Sequence, residues 1–509
     1  MSVIIKKINE SYIQIKNYDK DLLIKLKDRF VFYAPNYFFN PKYKQGIWDG
    51  RIHLFNQKND TLPIGLFKEA YKTIKSYTND LVCDLSLFDK GYEISKEEII
   101  KFCELIKVPF MPYDHQIEAI QKALKERKIT LVSATGSGKS YILFLICNFL
   151  KMRNEDEKIL LVVPSVQLVE QMSKDFCKYA ENYCDYSENI KKIYSGAKNY
   201  SKNPFITIST WQSIIALPKN KLNNVLSKYT TVLCDEVHQA NAKSLTEIIS
   251  KCVNAKYKIG VTGSLSSELV HEKQLNGLFG PTQNIITARE MIDNDMSAEF
   301  NVKCLILDYK LDRKIELKNK ISSIKKNKKL EIAKYNCEMD FIKSLDERMN
   351  FIVDFCSKIK KNTIVLFKSI DYGTELYKRL YKESKKIGKR IYYIDGNVKV
   401  DRREIIRENM ERFDNVIVLA SLKLFSTGIN VKNVHNIVLA ESIKSEITVI
   451  QSIGRVLRKL DDKLATYYDI SDDLSFKNWT NYSKRHYLSR IQTYKKEKHN
   501  IVKTVRIKI

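Results

Sequence analysis

Ser133-Ala134-Thr135-Gly136-Ser137-Gly138-Lys139-Ser140 decides how this chain is read. Ile129-Thr130-Leu131-Val132 before it reads as a buried strand, and Tyr141-Ile142-Leu143-Phe144-Leu145-Ile146 after it reads as a helix. A glycine-rich turn between strand and helix lets backbone amides curl around phosphate oxygens, and the helix N-terminus adds the positive end of its dipole. In that arrangement Thr135, Gly136, Ser137 and Gly138 cradle phosphates, Lys139 reaches the β- and γ-phosphates of ATP, and the Ser140 hydroxyl takes a position on Mg2+. The strict pattern has glycine at 133, where this chain has serine. A short Gly/Ser turn ahead of a helix is also compatible with a plain loop, so the reading depends on the rest of a nucleotide site.

That rest is a carboxylate for magnesium and a base for the attacking water. Thr231-Val232-Leu233-Cys234-Asp235-Glu236-Val237-His238 offers both at the end of an apolar run. Asp235 binds Mg2+ in this reading and Glu236 polarises the hydrolytic water. Adjacent acids at a strand end are also a common solvated terminus. His238, directly after them, suits a link between nucleotide and a second site. Upstream, Tyr113-Asp114-His115-Gln116 precedes the amphipathic Ile117-Glu118-Ala119-Ile120-Gln121-Lys122-Ala123-Leu124. The Gln116 amide carries the donor and acceptor that pair with adenine, and it equally suits a helix cap. Gln451-Ser452-Ile453-Gly454-Arg455-Val456-Leu457-Arg458 sets two arginines at i and i+3 on one helical face. Arginines that reach a γ-phosphate from a separate lobe act as fingers, worth on the order of a thousandfold or more in rate.

At 509 residues with 44% hydrophobic content the chain holds two to four domains with sizeable cores. Its longest apolar stretch, around 141–150, falls far short of a membrane span. The start, Met1-Ser2-Val3-Ile4-Ile5-Lys6-Lys7, lacks a signal-peptide apolar core. Ten scattered cysteines form no C-x-x-C pair, which fits a reducing compartment, and Cys234 reads as a small buried residue. A soluble cytoplasmic protein is expected. The net charge of +27 points to a polyanion, nucleic acid first, although an AT-rich codon bias toward Lys, Ile, Asn and Tyr gives the same surplus. Residues 318–334 hold seven lysines, and 484–509 hold nine Lys/Arg against one acid. Arg485, Tyr487, Arg490, Tyr494 and Lys498 recur near helical spacing, as in a phosphate-contacting helix or a merely solvated one.

Taken in order, these blocks resemble the superfamily 2 helicases over nearly the whole chain. Val162-Val163-Pro164-Ser165-Val166-Gln167-Leu168-Val169-Glu170-Gln171 resembles motif Ia, and Ile208-Ser209-Thr210-Trp211-Gln212-Ser213 the later strand-contact motif of the first lobe. Thr262-Gly263-Ser264 resembles motif III, which couples hydrolysis to strand movement. Thr363-Ile364-Val365-Leu366-Phe367 resembles motif IV, Tyr393-Ile394-Asp395-Gly396 the following short block, and Ser426-Thr427-Gly428-Ile429-Asn430 motif V, with Asn430 where many relatives carry aspartate. The resemblance implies α/β architecture: two tandem RecA-like (P-loop) domains with a small N-terminal α/β DNA-binding domain and a short basic helical tail. It implies ATP contacts at Gln116, Gly428 and Gln451 and strand contacts at Pro164, Ser165, Gln167, Thr210, Trp211, Gln212, Lys368 and Thr427. His238, Thr262, Gly263 and Ser264 would couple the two, with Arg455 and Arg458 completing catalysis.

Phe39-Asn40-Pro41-Lys42-Tyr43-Lys44-Gln45-Gly46-Ile47-Trp48-Asp49-Gly50-Arg51-Ile52 resembles the N-terminal domain of the phage branch-migrating helicases within that superfamily. In the second lobe, Leu424–Asn433 and Gln451–Lys459 resemble the same helicases. That family migrates Holliday junctions, regresses forks and dissociates R-loops, which implies a bacterial host cytoplasm if the chain is phage-encoded. Lys42, Lys44 and Arg51 flank Trp48 in a basic, aromatic turn suited to a duplex backbone or an exposed base; Trp48 equally suits the small domain's own core. The expected division is 1–100 for the N-terminal domain, 101–290 and 291–475 for the lobes, and 476–509 for the tail, with the basic 315–334 stretch an insertion or exposed helix. Expected partners are branched, duplex and single-stranded DNA and RNA–DNA hybrids, with recombination or single-strand-binding proteins as further candidates, and a monomer is expected. Rival readings are a duplex translocase that leaves strands paired, an RNA-directed helicase or transcript-release factor, and a junction-binding protein with a vestigial ATPase.

Overall fold

Alternating apolar residues in Val3–Lys7 (β1) and Tyr12–Lys16 (β2) set Val3, Ile5, Ile13 and Ile15 on one buried face. The computed structural model describes residues 2–35, 37–197, 203–239, 242–263, 269–294, 296, 300–324, 330–398, 400–422, 424, 433–441, 465–496 and 500–509. In it β1 and β2 pair antiparallel, with Ile5 opposite Ile15. Thr61–Pro63 (β5) and Leu81–Cys83 (β6) flank them in the order β5-β2-β1-β6. Lys20–Phe30 (α1) is capped by Asp19, which accepts from Leu22 N at 2.8 Å, and covers the sheet with Leu22, Leu26 and Phe30. Val31–Tyr33 (β3) and Arg51–His53 (β4) make a separate antiparallel pair. The excursion between them includes the short helix Pro41–Lys44 (α2).

The chain divides into two compact units, residues 1–287 and 288–509. In the first, the small module is joined to a seven-stranded parallel sheet. Its strands are Lys128–Ser133 (β7), Ile159–Val163 (β8), Ile190–Ile193 (β9), Ile206–Thr210 (β10), Thr231–Asp235 (β11), Tyr257–Thr262 (β12) and Thr282–Ile286 (β13). They lie in the order β13-β7-β12-β11-β8-β10-β9. The runs of β8, β10 and β11 are buried throughout, as a parallel sheet covered by helices on both faces requires. The helices Phe67–Lys75 (α3), Lys96–Leu105 (α4), Asp114–Glu126 (α5), Lys139–Arg153 (α6) and Val166–Tyr179 (α7) follow in sequence. At the seam a Cβ on Gly65 would fall 2.1 Å from the Asn276 carbonyl, so backbone meets backbone there. Glu69 pairs with Lys273 at 2.7 Å and Glu10 with Lys128 at 2.7 Å. Lys258, buried, donates to Ser11 Oγ at 2.6 Å and to the Ile249 carbonyl at 3.1 Å.

The second unit is another parallel seven-stranded sheet. Phe300–Asp308 (β14), Thr363–Phe367 (β15), Arg390–Ile394 (β16), Val416–Ser421 (β17), Asn436–Leu439 (β18), Ala465–Asp473 (β19) and Asn500–Lys508 (β20) take the order β16-β17-β15-β18-β19-β14-β20. Both units thus carry the expected α/β architecture, each on a parallel sheet. Within the basic 315–334 stretch, the helix Leu311–Ser322 buries Leu317 and Ile321.

The C-terminal segment forms the expected helix, Tyr482–Lys496, and then enters the sheet as β20, parallel to β14. The helical face that groups Tyr487, Arg490 and Tyr494 is buried in the lobe, so neither the phosphate-contacting nor the solvated reading holds for those three. Arg490 grips the Asp469 carboxylate at 2.8 and 2.7 Å, and the Tyr494 hydroxyl donates to the same carboxylate at 2.9 Å. Arg485 is exposed, and Lys498 lies outside the described residues. The basic periodicity therefore serves packing, because a fully buried arginine is tolerated when a carboxylate matches its fork.

Candidate nucleotide site and strand-contact segments

Strand order explains the site. β12 lies between β7 and β11, so the C-terminal ends of three neighbouring strands deliver Ser133–Lys139, Thr262–Gly263 and Asp235–Glu236 to one edge. Gly136 and Gly138 both take positive φ, 89° and 81°. At Gly138 a Cβ would stand 2.3 Å from Gln116 Nε2, so a side chain there would displace the Gln116 amide as well as strain the backbone.

Gln116 does both kinds of structural work. Its Oε1 accepts from Tyr113 N at 3.0 Å, closing the cap of α5, and its Nε2 donates to the Ser137 carbonyl at 2.9 Å. His115 Nε2 donates to that same carbonyl at 2.9 Å, a brace that sequence reading missed although His115 adjoins Gln116. Ser133, the departure from the strict pattern, donates its hydroxyl to Ser137 Oγ at 2.6 Å and so ties the two ends of the turn.

Lys139 Nζ donates to the Ser133 carbonyl at 3.3 Å and faces Glu236 Oε1 at 3.7 Å. Glu236 holds φ at 50°, a left-handed conformation costing on the order of 1–3 kcal/mol. Its backbone N–H donates to Asp235 Oδ1 at 2.9 Å. Its other carboxylate oxygen meets Gly263 N at 3.4 Å and His238 Nδ1 at 3.3 Å, and His238 Nδ1 lies 2.6 Å from Thr262 Oγ1. Lys139, Glu236, His238, Thr262 and Gly263 therefore form one connected set. Burial pushes the neighbouring Cys234 thiol up, which leaves it un-ionised. The Ser140 hydroxyl and the Asp235 carboxylate are hard oxygen donors at the same C-terminal edge of the sheet. That donor set fits Mg2+, which takes its remaining ligands from phosphate and water.

Of the strand-contact residues, Ser165 caps α7, accepting from Leu168 N at 3.3 Å, and Gln167 is exposed beside half-buried Pro164. Thr210 is buried and accepts from Ser213 N at 3.2 Å, Trp211 packs against a core cluster of the lobe, and Gln212 is exposed. Lys368 is exposed, and its backbone N–H donates to Glu441 Oε2 at 2.5 Å, an anchor that sequence reading missed. Ser264, Thr427, Gly428, Gln451, Arg455 and Arg458 lie outside the described residues.

In the small module Lys42, Lys44 and Arg51 are exposed. Trp48 is half-buried, its indole N–H donating to the Arg51 carbonyl at 2.9 Å, and it is absent from the described core of the module. Tyr33, Phe38, Phe39, Tyr43 and Ile47 are exposed in the same stretch of chain. The Arg51 guanidinium lies 4.8 Å from the Tyr33 ring centre and Lys44 Nζ 5.9 Å from that of Phe39.

Family models match in three places: that for the N-terminal domain of the DNA helicase UvsW at 3–84, the type III restriction enzyme res subunit at 109–267, and the helicase conserved C-terminal domain at 345–459. The ATP-dependent DNA helicase uvsW of Enterobacteria phage T4 is 31% identical over 505 residues, 95% of each chain. This chain belongs to the UvsW helicase family. The crystal structure of T4 UvsW aligns at 29% identity and a TM-score of 0.51, covering 99% of this chain and 100% of that one. Dbp5 of S. cerevisiae bound to RNA and ADP BeF3, at 14% identity and a TM-score of 0.52 over 82% of this chain and 94% of that one, shares the fold. As a UvsW-type helicase the chain is an ATP-dependent DNA helicase of superfamily 2.

Proposed function

We propose that this UvsW-type helicase remodels branched DNA: it migrates Holliday junctions, regresses forks and dissociates R-loops. The observation that carries this reading is the exposed aromatic and basic excursion between β3 and β4, built into the same compact unit as the nucleotide loop. Exposed rings with adjoining cations suit bases and phosphates at a branch, where stacking is locally broken. An ordinary surface segment has no need of four large exposed hydrophobic side chains within ten residues, Phe38, Phe39, Tyr43 and Ile47.

In the mechanism proposed, Lys139 leaves Glu236 for the β- and γ-phosphates, and Ser140 and Asp235 would hold Mg2+. The metal supplies charge neutralisation on the phosphates. Glu236 orients the attacking water and takes its proton, while His238 passes the change in Glu236 to Thr262 of motif III. Arg455 and Arg458 are proposed as fingers, with Gln116, Gly428 and Gln451 on the nucleotide. The strand runs over Pro164, Ser165, Gln167, Gln212, Lys368 and Thr427. Such backbone-directed grips give little sequence preference and affinity that falls steeply with salt. The test is ATP turnover with no nucleic acid, single strand, duplex, RNA and a synthetic four-way junction. Greatest stimulation by the junction supports the proposal, whereas stimulation by RNA alone replaces it with the transcript-directed reading.

A further inference from the structure

The Ser140 hydroxyl lies 3.0 Å from the Tyr179 hydroxyl, a side-chain pair well separated in sequence and part-buried. Tyr179 is the last residue of α7, and its ring is wedged among aromatics, 5.0 Å from Tyr141, 5.5 Å from Phe144 and 5.9 Å from Phe110 between centroids. Tyr141 is fixed in turn by a 2.6 Å bond from its hydroxyl to the Phe110 carbonyl. The phenol is thus held in place by packing, and its hydroxyl is presented to the one P-loop side chain read as a magnesium ligand.

We propose that Tyr179 is a positioning residue that latches the Ser140 hydroxyl and competes with Mg2+ for it. The proposal rests on the nucleotide-site reading of the preceding section. A serine Oγ has one position per rotamer, and here that position is set against the Tyr179 hydroxyl. We take this rotamer to be the one that turns the oxygen away from the metal. Magnesium uptake therefore includes the breaking of this hydrogen bond, and nucleotide affinity in the presence of the metal is reduced by the fraction of molecules latched.

The same helix reaches the strand-contact edge. α7 has 14 residues, roughly 20 Å at the helical rise, and its N-cap is Ser165 of the motif Ia segment. A strand bound at Pro164, Ser165 and Gln167 pulls on one end of a rigid rod whose other end carries the latch. Strand binding would then release Ser140, which makes Tyr179 a route by which nucleic acid raises magnesium and nucleotide affinity.

The test is the Mg2+ dependence of binding of a fluorescent ADP analogue to the full chain, with and without single-stranded DNA, for wild type and Tyr179→Phe. The phenylalanine keeps the ring and its packing and removes only the hydroxyl. Without DNA, half-saturating Mg2+ is expected about three- to tenfold lower in Tyr179→Phe, the size of one net hydrogen bond. Ser140→Ala is expected to bind the Mg2+ complex weakly whether or not Tyr179→Phe is added. Identical Mg2+ midpoints for wild type and Tyr179→Phe without DNA overturn the latch while leaving the nucleotide site standing. DNA is expected to lower the wild-type midpoint and not that of Tyr179→Phe; equal shifts in both overturn the link through α7. No Mg2+-dependent binding by wild type overturns the site reading and the latch with it.

Discussion

Lys139 Nζ faces Glu236 Oε1 at 3.7 Å, with side-chain exposures of only 10% and 3%. The two groups assigned separate tasks in hydrolysis neutralise each other here, and Glu236 is further held by the Gly263 N–H and His238. Phosphate arriving at Lys139 would therefore alter the surroundings of the proposed general base and of Thr262 and Gly263 in one step.

Glu236→Gln should lower ATP turnover by about a hundred- to ten-thousandfold, the usual worth of a positioned proton acceptor, with nucleotide binding retained. Lys139→Ala should lose turnover through loss of phosphate contacts, and both variants should still bind four-way junctions. Steady-state turnover beside fluorescence binding checks this; full turnover in either variant removes these residues from the site.

Gly138→Ala puts a methyl group 2.3 Å from Gln116 Nε2 on a backbone at φ 81°. About 1–3 kcal/mol of local strain is expected, appearing as weaker nucleotide binding and a lower Tm. Adding Gln116→Ala should relieve the contact and leave the backbone term. Calorimetry on the single and double variants measures the two parts, and an unaltered Gly138→Ala protein contradicts the geometry.

Arg490→Met leaves Asp469 buried without its fork, and a loss of about 3–5 kcal/mol is expected. Arg485→Glu, on the exposed side of the same helix, should leave Tm unchanged. Denaturant melts separate them. Equal, small effects would return Arg490 to the surface.

Burial pushes the Lys258 ammonium down to about 7 from its ordinary 10.5. Between those values the folded chain binds fewer protons than the unfolded chain, so this group makes stability rise with pH across the window. Below about 7 both states are protonated and its contribution is flat. Lys258→Met should therefore remove part of the wild-type rise in Tm between pH 7 and 10.5, on the order of a few kcal/mol at most. Parallel Tm profiles for the two proteins would contradict this assignment.

Phe39→Ala and Lys44→Ala change exposed side chains outside the core of the module. Junction affinity should fall by roughly three- to thirtyfold for the stacking residue and less for the lysine, with Tm unchanged. Binding isotherms at two salt concentrations check it, and the lysine variant alone should flatten the salt dependence.

Much of this was legible because nucleotide chemistry is written locally. The turn from Ser133 to Ser140 and the acids at 235 and 236 sit at strand ends, and parallel strand order alone brings them together. Strand contacts were less legible, since Thr210 and Trp211 carry polar or amphipathic groups that the fold uses for capping and packing. The C-terminal helix misled for a physical reason: sequence reports that Arg490 is charged, but only the fold supplies Asp469 as its buried partner. Trp48 was open to two readings in sequence, and the fold leaves it half-buried outside the module's core, with its indole N–H bonded to the Arg51 carbonyl. Tyr179 and Glu441 were invisible, since each acts on a residue far away in sequence.

The central claim, an ATP-driven motor acting on branched DNA, is tested most directly by the conversion of a labelled four-way junction to duplex products, wild type beside Glu236→Gln at equal junction occupancy. Conversion by wild type with ATP, and none by the variant, is the predicted result. Junction binding without conversion by wild type, or conversion that continues undiminished in Glu236→Gln, would contradict it.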